Sequence, residues 1–180
     1  VGVAPCDISQ MRLWFGLALA VLWAWPVAAD DAIPMPISEL AQRAQLIVRG
    51  KVEGKSVRRD AEKRIFTEVN LAVQEVWKGD PKGPLLKVVQ GGGVLGEEKV
   101  VVVGQVDFRL GEEVVGFFVW NPRGEAVTLS MSQGKFLVKR KGGEGAEVEN
   151  PFHGRKEKDI EATPALKLDD LRARVREALK

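Results

Sequence analysis

This chain is poor in the residues that most reactive chemistry uses. It has one cysteine, Cys6, one histidine, His153, and no tyrosine in 180 residues. The cysteine lies ahead of a short apolar stretch, residues 13–27, so residues 30–180 hold none. Over that length disulfides, thiolate metal ligands and a cysteine nucleophile are excluded. A single histidine rules out His-rich zinc sites built within one chain, and His153 stands in so polar a stretch that a solvated imidazole is expected. Long hydrophobic runs are missing as well: the 13–27 stretch falls short of the roughly 20 apolar residues that a spanning helix needs. Nor does one sign of charge dominate. The 27 Lys and Arg against 25 Asp and Glu leave a net charge of +2, which points to no strongly polyanionic partner and to no nucleic acid.

What the N-terminal region does contain has the order of a secretory leader. Met11-Arg12 precedes the apolar run, and Val27-Ala28-Ala29 supplies small residues for a signal peptidase. Pro26 and Asp30-Asp31 at its end do not form a stop-transfer flank. The expectation is a leader over residues 1–29, translated from Met11 and cleaved after Ala29, with a retained anchor as the alternative. No cysteine stands at the boundary to carry a lipid. The mature chain is then exported, periplasmic or secreted, and is held together by its core alone, for which residues 30–180 suffice. A content of 45% hydrophobic and 29% charged residues suits a globular domain.

After Pro34-Met35-Pro36, Ser38 as N-cap, Glu39 in the first turn and Leu40, Ala41 and Ala44 on one side predict a short helix ending near Gln45. The period then changes. Leu46, Val48, Gly50 and Val52 alternate with Ile47, Arg49, Lys51 and Glu53 as in a half-buried strand. A second strand puts Ile65, Thr67, Val69, Leu71 and Val73 on one face, with a shift of phase near Glu75. Residues 78–84 are dense in turn formers. Further strands are expected at 85–90, at 100–103, at 114–120 (apolar on both faces and so central), at 126–131 and at 135–139, with a turn at Asn121-Pro122-Arg123-Gly124. Such spacing means a mainly β fold, a small barrel or alternatively a β-sandwich. Residues 30–140 form this domain, and 141–162 read as a polar, mobile linker. In 163–180 a C-terminal amphipathic helix follows, with Leu168, Leu171, Val175 and Leu179 on one side. Its four apolar anchors favour docking back onto the barrel over lying on a membrane surface or a partner.

The order Leu46-Ile47-Val48-Arg49-Gly50-Lys51-Val52, Phe66-Thr67, Val76-Trp77-Lys78-Gly79, Gly91-Gly92-Gly93, Phe108, Gly111-Glu112-Glu113 and Phe117-Phe118 resembles a recurrent type of bacterial exported domain. In layout it is similar to the OB-like barrel of the netrin and tissue metalloproteinase-inhibitor group, over residues 46–138. The resemblance implies an OB-like fold and nothing about activity. Inhibitors of that group set an N-terminal cysteine on the protease zinc, and residues 30–180 have none to offer.

Local motifs add little chemistry. Gly91-Gly92-Gly93-Val94-Leu95-Gly96 spells G-x-G-x-x-G, but a dinucleotide fingerprint must open a helix and the residues that follow read as strand. Gly96 is followed by Glu97, so the motif is no Walker loop either. It is expected to be a flexible β-connection. No serine sits in a G-x-S-x-G elbow. The neighbouring carboxylates Glu97-Glu98, Glu112-Glu113 and Asp169-Asp170 are expected at the surface or in turns. Trp77, Phe117, Phe118 and Trp120 suit packing better than stacking on a ligand. The candidate binding residues are Lys55, Arg58, Arg59, Lys63 and Arg64, placed on the connection between the first two strands, with Lys135, Lys139, Arg140 and Lys141 as possible neighbours. The sequence thus leads to an exported, non-catalytic binding or accessory module with no cofactor or metal, whose partner is an exported protein. The alternatives are a regulator of an exported protease or hydrolase, and a carboxylate- or metal-dependent enzyme.

Overall fold

Alternation of apolar and polar residues from Leu46 onward produces strands, and the strands close on themselves. A computed structural model describes residue 2 and residues 34–140, 145–152 and 166–180. The leader, His153, Lys141 and Thr163-Pro164 lie outside these residues. Residues 33–180 make one compact unit. Its elements are α1 (Ile37–Arg43), β1 (Leu46–Arg59), β2 (Ile65–Lys78), β3 (Leu85–Gly91), β4 (Gly93–Leu95), β5 (Glu98–Val100), β6 (Glu113–Trp120), β7 (Ala126–Thr128), a 3-10 turn (Met131–Gly134), β8 (Lys135–Arg140), β9 (Ala146–Glu149), β10 (Leu166–Lys167) and α2 (Leu168–Ala178). The fold is mainly β with a short helix before the sheet and a helix at the C-terminus, as the residue spacing implies.

The main sheet runs β1-β2-β3-β7-β6-β8-β9-β10, and β1 also pairs with β6. Five strands, β1-β2-β3-β7-β6, therefore form a closed ring. All its seams are antiparallel except β3–β7, which is parallel and rests on the single pair Val88↔Ala126. A sandwich of two separate sheets needs no such closure.

Two apolar layers follow from the period-two alternation of β1 and β6. Leu46, Val48, Val114 and Phe118 point into the ring, where they meet Val52, Val69, Leu71, Leu86, Val88 and Ala126. Ile47, Val115 and Phe117 point outward and are covered by Leu40 and Ala41 of α1 and Leu171 and Val175 of α2. Each such fully buried aliphatic or phenyl group contributes about 1.5–3 kcal/mol. Gly116 shares the inward face with Val114 and Phe118, and the Phe118 ring lies over it, so a Cβ there would collide with that ring.

The Trp77-Lys78-Gly79 run joins the layers. Lys78 Nζ donates to the carbonyls of Ala41 and Gln42, both at 2.9 Å, and so caps the C-terminus of α1. Gly79, at φ 77°, passes so close to the Gln45 carbonyl that a Cβ would clash. Outside the ring, Arg172 of α2 pairs with Glu75, Glu75 with Arg49 at 3.6 Å, Arg49 with Glu113 at 2.6 Å, and Glu113 with Arg140 at 3.0 Å. This chain of ion pairs ties α2 to β2, β1, β6 and β8.

Several local expectations are corrected. The N-cap of α1 is Pro36, whose carbonyl accepts from Leu40 N at 2.9 Å, and Ser38 lies inside the first turn without capping. The first strand runs on to Arg59, because β2 continues to pair with it up to Arg59↔Ile65. Of residues 100–103 only Val100 is strand: a turn closed by Gln105 N to the Val102 carbonyl, 3.2 Å, with Gly104 at φ 76°, takes the chain away. Within the stretch read as linker, β9 pairs with β8 and buries Val148. Asn150 secures it there by donating to the carbonyls of Ser132, Gln133 and Lys135. Of the four anchors expected on α2, Leu179 falls beyond the helix end and is exposed.

Candidate functional site

The ring places the proposed basic residues on strands as well as on the turn between them, and it separates them. Cross-strand partners share a face. Lys55 lies opposite the core residue Val69 and Arg59 opposite Ile65, whereas Arg58 lies opposite Phe66 on the outer face. Lys63 and Arg64 sit in the 60–64 turn, Lys63 at φ 64°. The five residues therefore serve three places.

Lys55 reaches the segment that plugs the ring. Residues 105–110 are irregular, with Val106 and Phe108 buried in the ring interior. Lys55 Nζ binds Asp107 Oδ1 at 3.1 Å and the Phe108 carbonyl at 3.2 Å. From β8, the buried Lys135 donates to the Asp107 carbonyl and to Glu112 Oε2 at 2.6 Å, with its ammonium 4.8 Å from the Phe108 ring centre. Burial works to raise the Asp107 carboxyl, but hydrogen bonds from Lys55 and Arg109 and the nearby Lys55 and Lys135 charges outweigh it and hold the carboxyl below its usual range. Lys55 and Lys135 thus meet at Asp107, where they clamp the chain's own plug. Arg59 turns to the β4–β5 hairpin, pairing with Glu98 at 2.9 Å.

The third place is the outer face of β1, β2 and β3. The Arg58 guanidinium lies 4.7 Å from the Phe66 ring centre and pairs with Glu68 at 2.6 Å and Glu125 at 3.8 Å. Lys87 of β3 also pairs with Glu68, at 3.3 Å. Arg64 binds Asp60 at 2.7 Å and Glu62 at 2.9 Å, while Arg123 from the 121–125 turn reaches Asp60 at 3.7 Å and Glu125 at 3.1 Å. The hydrogen bond from Arg64 chiefly holds the Asp60 carboxyl below its usual range. Asp60 therefore joins two turns that lie far apart in sequence, through Arg64 in one and Arg123 in the other. Five cations, the turn residue Lys63 among them, and four carboxylates leave this face close to neutral, so it offers little field for a polyanion.

Lys139 pairs with Glu149 at 2.7 Å and Arg140 with Glu113, on β8 away from this face. Glu112 and Glu113 are not idle surface charges, since each holds a cation and is largely buried. The glycine-rich run is a β-connection: Gly92 at φ 81° turns the chain from β3 into the β4–β5 hairpin, and Gly93 packs on Val57 and Thr67. Asp60 and Glu62 are legible beside the basic residues as charges that dilute them; sequence reasoning missed Glu68, Glu125 and the cation Arg123, because the ring, and no local spacing, sets them beside Arg58 and Asp60. Among the described residues no group of three or more His, Cys, Asp or Glu could hold a metal ion, and no helix is long and apolar enough to cross a membrane. No protein-family model and no curated protein matches the chain.

Proposed function

We propose that this chain is an exported, non-catalytic binding module that contacts a partner protein through the outer face of β1, β2 and β3 and the two turns at its border. The observation that carries this reading is the Asp60 junction. It fastens the 60–64 and 121–125 turns together beside Arg58 on Phe66, which gives a pre-ordered face of alternating charge. The ring order, with its parallel β3–β7 seam, supports the likeness in layout to OB-like barrels; among OB folds in general, the strand 2–3 face and the loops after the first and fourth barrel strands are a recurrent binding surface. The likeness bears on fold alone. Export is supported by the leader pattern.

A face whose charges are already paired recognises by exchange: each internal pair gives way to one with a partner of opposite pattern. Such a surface gains specificity and encounter rate more than raw affinity. Mixed charge also selects a protein surface over nucleic acid or an anionic polymer. The test places a photo-crosslinking side chain at the exposed Lys87 and, as a control, at the exposed Arg176 of α2, in the exported fraction of the source cell. One discrete adduct is expected at position 87, abolished by Arg58→Glu and absent at 176. Equal labelling at both positions, or labelling that survives Arg58→Glu, overturns the reading.

A further inference from the structure

The β4–β5 excursion differs from the rest of the ring in what it exposes. Val94, Val100, Val101, Val102 and Val103, five of the ten large hydrophobic residues left exposed among the described residues, fall on this one stretch. β5 pairs with β4 and with no other strand among the described residues, so its outer edge is open. Past β5, only the Val102 carbonyl among the backbone groups of residues 101–103 has a described backbone partner, Gln105 N. Open backbone donors and acceptors beside β-branched side chains are the template on which another extended chain pairs.

We infer that residues 99–103 form an edge at which a second copy of this chain adds antiparallel, about a two-fold axis at Val101. An isologous contact needs a surface complementary to itself, and this segment has one. With Val101 on the axis, Val101 meets Val101, Val100 meets Val102 twice, and Lys99 meets Val103 twice, its aliphatic stem crossing the valine while its ammonium stays in water. No like charges oppose one another. The faces agree as well. Val102 packs toward Gly91 and the Val100 carbonyl toward Gly92, while Val101 and Val103, 70% and 89% exposed, look outward. At one end Glu98 is held by Arg59, and at the other Gly104 turns the chain away, so the pairing closes on two copies instead of propagating. The short edge implies a reversible dimer, toward the weak end of specific interfaces.

The test is sedimentation velocity on the chain from Asp30 onward, which contains the whole compact unit, from micromolar to near-millimolar concentration. A monomer that becomes a dimer as concentration rises is expected. Val101→Asp sets two carboxylates against each other across the axis and should leave a monomer throughout, with unchanged circular dichroism because the site is exposed. This length of chain has no cysteine, so Val101→Cys should crosslink to itself under mild oxidation while Leu110→Cys does not. A monomer at every concentration, a dimer indifferent to Val101→Asp, or equal crosslinking at 101 and 110 overturns the inference. A monomer that crosslinks at 101 to a different protein overturns it too. None of these outcomes touches the outer-face reading, which involves other residues.

Discussion

The inside of the ring and the layer beneath the helices are equally apolar, yet they are assembled differently. The ring interior draws on β1, β2, β3, β6 and β7, residues that follow one another from Leu46 to Ala126, with the 105–110 segment as its plug. The outer layer brings together α1 and α2 from opposite ends of the described chain, with β6, β8, β9 and β10 between them. A period of two along neighbouring strands suffices for the first. The second requires the chain to return, which α2 does through Leu168, Leu171 and Val175 and the Arg172–Glu75 pair. Because β1 and β6 line both layers, the two should not be separable in equilibrium unfolding.

Truncation in each layer probes that claim with the largest expected effects. Phe118→Ala, inside the ring, should cost about 3–5 kcal/mol, and Leu171→Ala, beneath the helices, about 2–5 kcal/mol. In urea, far-ultraviolet circular dichroism and tryptophan fluorescence should report one coincident transition for both variants. An early, separate loss of helical signal in Leu171→Ala would show that the outer layer unfolds by itself.

The plug offers a sharper test of what is peculiar to the interior. Lys135→Met keeps the apolar stem and removes the ammonium, leaving Glu112 and the Asp107 carbonyl without it. Breaking such a largely buried pair should cost about 3 kcal/mol, the low end for buried ion pairs, since neither side chain is wholly dry. Amide exchange should accelerate over residues 105–110 and stay unchanged in α2. Equal acceleration in both places would mean that Lys135 supports the whole ring and not the plug.

How much of this was legible in the sequence depended on range. The β1 and β2 alternation, the turn at 121–124, the central β6 with apolar residues on both faces, and the docking side of α2 all express local periods. Ser38 misled because a hydroxyl near a helix start resembles a cap, whereas Pro36 with its fixed φ already starts the helix. Val148 went unseen because one valine among Glu, Gly and Lys has no period, and it is Asn150 that secures β9 through three carbonyls. The basic cluster was visible as composition only. Its division between plug, hairpin and outer face follows from strand parity, which appears only once β1 is known to extend to Arg59.

Acid should separate the two layers by the smallest effect. Asp107 belongs to the plug and Glu113 to the network that reaches α2, and both carboxyls lie below their usual range. For Glu113, burial works to raise it and the hydrogen bonds from Arg140 and Arg49 prevail. A carboxyl lowered in the folded state stabilises fully above its unfolded pKa, about 4 for these residues. That contribution disappears as pH falls through the folded value. The melting temperature should therefore be level from pH 7 to about 5 and decline below about 4. The Asp107 carboxylate is 60% exposed and that of Glu113 17%, so solvent screens the first and its share stays well under about 1 kcal/mol. Glu113→Gln should then flatten the acid limb visibly and Asp107→Asn hardly at all. The reverse order would mean that the lysine clamp, and not the Arg49–Glu113–Arg140 bridge, is the acid-sensitive joint.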